Sequence, residues 1–576
     1  MDCLEGIGIS PGYAEGVAVV YDYETDYRLE FPDRDISASE IAAEHNRLDD
    51  AVAHSHRELQ QVEQSAGTST SRADSSAVLA AHTHLVHDIA AKVKQYMGRE
   101  LVNVEQSLDS VIGEAVEQMC QLENDYLRER EQDIRDVGRR MMRHLTGAPQ
   151  FPRGPLPAQT VIVARELLPS ETIELSQAGL VAIVTELGGK DSHTAILARS
   201  LGIPAVSGLF GVTSQIHAGA YLLVDGEAGR VTIAPSSSKA AEFTKSREEY
   251  QRSVAVIAAD ETLPCVTRDG IEISLLANIG RPEEVEQIGP HDLSGVGLFR
   301  TEFMFLESHK PPSVETQYEI YAQTAKALGD RPLVIRTFDL GGDKLPPFLA
   351  SLPLGPHPSR HLRGLRFSLA EQRLFETQLR AIIRVAQSAD VQLLFPMVIG
   401  GDDLSRAVAA VDQAVDELRA LRRPPLGAMI ETPAALFALE EILELADFVS
   451  IGTNDLTQFM LATDRDAADL ADECTSWHPA VLRAIQRVVD AAAARNCPVC
   501  VCGEAAGEAD FACLLVGLGV RELSMTPVRA ASVRYALRKL DGAAVQELAN
   551  QALRCVSPQE VRQLLAHLCL TGKVRP

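Results

Sequence analysis

Gly188-Gly189-Lys190-Asp191-Ser192-His193-Thr194-Ala195-Ile196-Leu197-Ala198-Arg199 is the stretch around which the chain is organised. The apolar run before it, Val181-Ala182-Ile183-Val184, predicts a buried strand. Residues 194–201 predict a helix with Ala195, Ala198 and Leu201 on one side. Between the two, a glycine pair lets the backbone turn sharply and come close to a bound anion. His193 is thereby expected at a helix N-terminus, where free N–H groups and the helix dipole favour negative charge. An imidazole held there could accept and carry a phosphoryl group. A histidine on such a turn is unremarkable alone; the glycine pair, Ser192 and a second charged site give it weight.

Strand-like runs flank this stretch at 160–164, 203–206 and 221–224, with a hairpin over 224–231. Residues 7–21 read as a turn and one or two short strands that complete the same sheet. Between these parts the period changes. Ser37 stands three residues before Glu40, a capping-box pattern that opens a long helix reaching about residue 63. Helical patterns follow over 74–97, 103–119 and 122–145. This is an all-helical insert of roughly four helices. A proline-rich linker covers 149–157, and 236–260 reads as a polar linker helix.

The second half reads as eight strand–helix units. The strands are expected at 271–277, 295–300, 333–339, 392–397, 426–431, 448–455, 498–504 and 522–525. Helical patterns separate most of them, which predicts a (β/α)8 barrel. In that fold reactive residues gather at the C-terminal ends of the strands. Those ends carry Arg300, Thr301 and Glu302; Arg336 and Asp339; Glu431; Asn454 and Asp455, followed by Arg465; and Cys502 with Glu504. The types fit together chemically. Glu431 and Asp455 offer hard oxygens for Mg²⁺, which keeps water and substrate oxygens as its other ligands. Arg300, Arg336 and Arg465 supply planar forks for phosphate and carboxylate. Cys502 is a potential proton donor.

Composition bounds the class. The 576 residues suggest roughly three or four domains. A formal net charge of -26 argues against nucleic acid or an anionic membrane as partner. The first twelve residues lack a signal-peptide pattern, and no apolar run is long enough to span a bilayer. Ten scattered cysteines fit reduced thiols, so a cytoplasmic location is expected.

On five stretches the sequence resembles Enzyme I of the bacterial phosphoenolpyruvate-dependent sugar phosphotransferase system. They are 188–199, 295–303, 336–344, 451–458 and 502–504, in the family's order. The resemblance runs over essentially the whole chain. It implies a phosphohistidine α/β domain (1–23 and 149–235), an inserted helical subdomain that binds the phosphocarrier protein HPr (24–148), a linker helix (236–262), and a phosphoenolpyruvate-binding and dimerising (β/α)8 barrel (263–576). It further implies Mg²⁺ on Glu431 and Asp455. Phosphoenolpyruvate is then held by Arg300, Arg336, Asn454, Asp455 and Arg465, phosphoryl transfer goes to His193, and Cys502 protonates the enolate. The histidine domain is implied to swing on the linker helix, and the protein to be a homodimer. Asp191 and Leu168 stand where the family usually has threonine, and the segment 357–363 keeps only the proline and Arg363 of the family's pattern. Two other readings are a regulatory homologue that binds without turnover and a dikinase. A dikinase needs a large nucleotide-binding domain, and nothing before residue 150 resembles a glycine-rich ATP site.

Overall fold

The computed structural model describes residues 3–21, 34–65, 72–120, 125–147, 156–189, 192–306, 310–341, 362–463 and 474–570, with 308, 346 and 348. The chain divides into two compact units, Met1–Val254 and Ala255–Pro576.

The first unit is built on an eight-stranded sheet. Its strands are β1 (Cys3–Glu5), β2 (Ile7–Ser10), β3 (Tyr13–Tyr21), β4 (Thr160–Ala164), β5 (Leu180–Thr185), β6 (Ala205–Ser207), β7 (Tyr221–Asp225) and β8 (Arg230–Ile233). They lie in the order β1-β8-β7-β3-β4-β5-β6-β2. β3, β4, β5 and β6 run parallel, and the flanking strands are antiparallel. Residues 7–21 therefore hold a nine-residue strand, β3, longer than the short strands expected there. Alternation along β4 explains the burial of both faces. Val161 and Val163 enter one core with Ala182 and Val184, whereas Ile162 and Ala164 enter another with Ala195 and Ala198.

Four helices, α1 (Ile41–Ser65), α2 (Arg72–Glu100), α3 (Val104–Cys120) and α4 (Asp125–Thr146), stand in the connection between the neighbouring strands β3 and β4. Leu48, Leu59, Val86, Val93, Leu108, Val137 and Met141 form their common core. Buried charge ties the bundle together and to the helix that follows β4. Arg140 lies 2.7 Å from Glu58 of α1 and 3.4 Å from Glu174, on α5 (Pro169–Gln177). Arg143 and His144 meet the same Glu58 carboxylate. The proline-rich linker at 149–157 falls largely outside the described residues.

The second unit is a closed barrel of eight parallel strands: β9 (Ser274–Ile279), β10 (Val296–Phe299), β11 (Leu333–Arg336), β12 (Val391–Phe395), β13 (Leu426–Ile430), β14 (Phe448–Ile451), β15 (Val499–Val501) and β16 (Glu522–Met525). Outward residues such as Val449, Ile451 and Val501 pack in the main core, with Leu482 and Leu514 of the surrounding helices. Inward residues Leu298, Val334, Leu394, Met429, Phe448 and Cys502 fill the barrel interior. Several expected strands ran too long, among them 333–339, since β11 stops at Arg336. Strand β14 stops at Ile451, and Asn454 and Asp455 belong to a helix, Thr453–Leu461, that starts after Gly452. Strand β15 stops at Val501, with Glu504 in a short 3₁₀ turn. Among the described residues, no helix is long and apolar enough to cross a membrane.

Candidate active site

The barrel's C-terminal rim is built from one residue upward. Arg336 ends β11 on its inward face, so its guanidinium is buried among the other strand ends. Its Nη2 donates to Glu302 Oε1 at 2.9 Å. The same carboxylate oxygen accepts the Asp339 backbone N–H at 2.7 Å. Glu302 thus holds both the arginine and the turn after β11. Beneath, the Thr301 hydroxyl donates to the Arg336 carbonyl at 3.0 Å and accepts from Gln378 Nε2 at 3.0 Å. Those bonds fix the backbone on which the rim charges stand.

Arg363 closes the next side. Its Nη2 lies 3.1 Å from Asp339 Oδ2 and 3.0 Å from Asp455 Oδ1. Burial works against both guanidinium charges, but Glu302, first for Arg336, and Asp339, Asp455 and Glu431, for both, outweigh it and hold Arg336 and Arg363 firmly protonated. Glu431 follows β13 and is 1% exposed. Its Oε1 accepts the Met397 N–H at 2.7 Å. Burial, then the charges of Asp455 and Asp339, push its carboxyl well above the ordinary range, with Arg336 opposing. A Cβ on Gly452 would stand 2.6 Å from Glu431 Oε2. Asn454 and Glu504 bond reciprocally, side-chain amide to carboxylate and backbone N–H to amide oxygen, both at 3.0 Å. Cys502 sits at the floor, 2% exposed. Burial pushes its thiol up to about 11.

Arg336, Glu431, Asp455 and Cys502 therefore meet at one rim, with Asn454 beside them. Arg300 follows β10 and is exposed. Arg465 lies outside the described residues. Glu302 was read among the strand-end charges without a chemical role, and Arg363 was not placed at the site. Arg363 follows no strand, so its position carried no strand-end signal; a backbone bridge to Gly341 places it.

The rim suits a divalent cation only with help from a substrate. Among the described residues, no three His, Cys, Asp or Glu side chains are grouped to hold a metal. Two carboxylates with substrate and water oxygens are, however, the set on which Mg²⁺ relies. Asp455 Oδ1 is buried and accepts no well-directed hydrogen bond, despite its ion pair. Glu431 and Asp455 also carry mutual repulsion that a cation would relieve. These residues fit the ion.

In the first unit, β5 leads through Gly188, whose φ of +115° suits glycine, to α6 (His193–Ser200). Ser192 caps this helix, its Oγ accepting the Ala195 N–H at 3.2 Å and donating to the Gly189 carbonyl at 2.9 Å. Ser207 Oγ donates to the Gly188 carbonyl at 2.7 Å, and Thr194 Oγ1 to the Leu167 carbonyl at 2.9 Å. His193 is the first helical residue; its imidazole, with Lys190 and Asp191, lies outside the described residues. Leu168 is fully buried at the N-terminus of α5.

Three family models match the chain: PEP-utilising enzyme, PEP-binding domain, over residues 255–542; PEP-utilising enzyme, N-terminal, over 5–130; and PEP-utilising enzyme, mobile domain, over 156–229. A phosphoenolpyruvate-protein phosphotransferase of Streptococcus equinus is 35% identical over 98% of this chain and 98% of its own. Another, from Enterococcus faecalis (strain ATCC 700802 / V583), is 34% identical over 98% of this chain and 99% of its own. The chain belongs to the phosphoenolpyruvate-protein phosphotransferase family. A solution structure of an Enzyme I protein is 31% identical and covers 43% of this chain and 99% of that one, with a TM-score of 0.38. Against this phosphotransferase background, the rim lies within the matched PEP-binding domain and the turn before α6 within the matched mobile domain.

Proposed function

We propose that this chain is a phosphoenolpyruvate-protein phosphotransferase that moves the phosphoryl group of phosphoenolpyruvate to His193 and then to a histidine of the phosphocarrier protein HPr, releasing pyruvate. This would be the first step of phosphotransferase-system sugar uptake or regulation. The observation that carries the reading is the rim itself: two held guanidiniums, two close carboxylates and a protonated thiol above one barrel, in a chain of this family.

Arg300, Arg336, Asn454 and Arg465 bind and orient the substrate's phosphate and carboxylate. Glu431 and Asp455 hold a Mg²⁺, which when bound neutralises charge on the phosphoryl oxygens. His193, at a capped helix N-terminus, takes the phosphoryl group. Cys502 keeps its proton at neutral pH because burial disfavours the thiolate, and it gives that proton to the enolate carbon. The helical insert, residues 24–148, would dock HPr, and the barrel domain would form a homodimer.

The test is incubation with phosphoenolpyruvate labelled at phosphorus, Mg²⁺ and HPr. Label on wild type and then on HPr, none on His193→Ala, and stoichiometric pyruvate are expected. Binding of phosphoenolpyruvate without pyruvate or label would leave only a regulatory homologue. Sedimentation of the full chain tests the dimer.

A further inference from the structure

Three inward-facing polar side chains stand side by side in the barrel wall. Ser450 of β14 is register-paired with Cys500 of β15, and Cys500 with Glu522 of β16. Two residues beyond Cys500, on the same face, stands Cys502. Ser450, Cys500 and Cys502 are all buried. The Ser450 hydroxyl makes no well-directed hydrogen bond, yet it lies near enough to both sulfurs to favour their ionised forms.

Below them is a cavity of about 230 Å³, lined in part by Leu276, Gln392, Phe448, Ser450, Cys500 and Glu522. It has room for several waters and enough polar lining to hold them. Cys502 is not in that lining; it stands above, at the rim's floor. Ser450 and Cys500 thus reach both the cavity below and the thiol above.

In the function proposed above, each turnover removes one proton from Cys502. A buried thiolate must regain it before the next substrate. We infer that Cys502 is reprotonated from below, through Ser450 and Cys500, with Glu522 as the acid at the lower end of the relay. The inference rests on Cys502 being the proton donor. As the Cys502 S–H bond re-forms, the Ser450 O–H bond breaks. The Ser450 oxygen takes the Cys500 thiol proton, and the Cys500 sulfur takes the Glu522 carboxyl proton. A cavity hydronium ion reprotonates Glu522 and leaves as water. Each electron pair stays on the atom that gave up its proton, so nothing is oxidised or reduced. The hops run together, since burial pushes the Cys500 thiol far up and a lasting thiolate there is disfavoured. Burial also raises the Glu522 carboxyl, which helps it keep a proton to give.

The test compares first and later turnovers in Ser450→Ala, with Ser450→Thr as the conservative variant and excess HPr as acceptor. The first turnover uses the proton already on Cys502. Single-turnover pyruvate formation by Ser450→Ala is therefore expected within twofold of wild type. Its steady-state rate is expected to fall at least fivefold, with a larger solvent deuterium isotope effect, and Ser450→Thr to recover both. An unchanged steady-state rate and isotope effect overturns the relay. So does an equal loss in the first turnover, which marks a packing role. Wild type that forms no pyruvate at all overturns instead the function on which the relay rests.

Discussion

One nitrogen of Arg363, Nη2, stands between Asp339 and Asp455, 3.1 Å from the first carboxylate and 3.0 Å from the second. Asp339 follows β11, whereas Asp455 opens the helix after β14, so one side chain spans two separate parts of the rim. It does so beside Glu431, which burial and those same two carboxylates make reluctant to ionise. Arg363, together with Arg336, therefore offsets the negative charge gathered at the rim.

Arg363→Met keeps length and removes the charge. Losing one partner of buried ion pairs costs about 3 kcal/mol of barrel stability. Pyruvate formation is expected to fall about 100-fold, as Asp455 loses its position. Arg363→Lys returns a point charge without the planar fork, and should restore stability more than rate. Denaturant unfolding and pyruvate release measure the two. Wild-type turnover in Arg363→Met would remove this residue from the site.

Gly452 serves a second purpose beyond ending β14. Its backbone, φ −86° and ψ 88°, does not itself demand glycine. What excludes a side chain is the Glu431 Oε2 atom, 2.6 Å from where a Cβ would stand. Gly452→Ala is thus expected to fold while displacing Glu431. The apparent Mg²⁺ requirement should rise at least tenfold, measured by titrating the metal against pyruvate release at saturating phosphoenolpyruvate. An unchanged Mg²⁺ titration would show that Glu431 is no ligand.

The barrel was legible because its strands are short apolar runs, five of which end in charge. The strand ends also located Arg336 and Cys502 at the rim, although that both face inward is seen only in the structure. What strand reading missed has physical causes. Gly452 gives no apolar break, so the strand pattern ran on through Asp455 into a helix. Arg363 acts from a loop, where periodicity says nothing; the bridge to Gly341 that seats it is long-range. Ser450 and Cys500 are small enough to pass as ordinary members of buried strands. Their importance shows only in the register that sets them beside each other. In the first unit, the glycine turn and the helix start near His193 followed from local rules, whereas the Ser192 cap and the Thr194 bond to Leu167 are seen only in the structure.

Cys502→Ser replaces the thiol with a hydroxyl, a much weaker acid at nearly the same place. The inward packing with Leu298, Met429 and Phe448 should survive the exchange. Enzymic pyruvate formation is expected to fall about 100-fold or more, the usual scale for losing a positioned proton donor. Thermal unfolding should shift little. Full activity in the serine variant would assign the proton to another group.

The Glu58 cluster gives the helical insert a built-in acid sensitivity. Burial alone would raise the Glu58 carboxyl. The His144 hydrogen bond and the charges of Arg140 and Arg143 prevail and lower it from 4.5 to about 2. A carboxyl whose folded value lies below its unfolded value stabilises the fold fully above the unfolded value. That contribution is lost as pH falls from about 4.5 toward about 2. Between pH 5 and pH 3 the loss from this group is about 1–2 kcal/mol after allowance for solvent screening. Glu58→Gln cannot titrate, so its stability should fall less over the same interval, although it starts lower because Arg140 and Arg143 lose their partner. Hydrogen exchange of α1 and α4 in the full chain, followed at both pH values, reads the difference locally. Equal pH slopes for wild type and Glu58→Gln would mean that the acid sensitivity lies elsewhere.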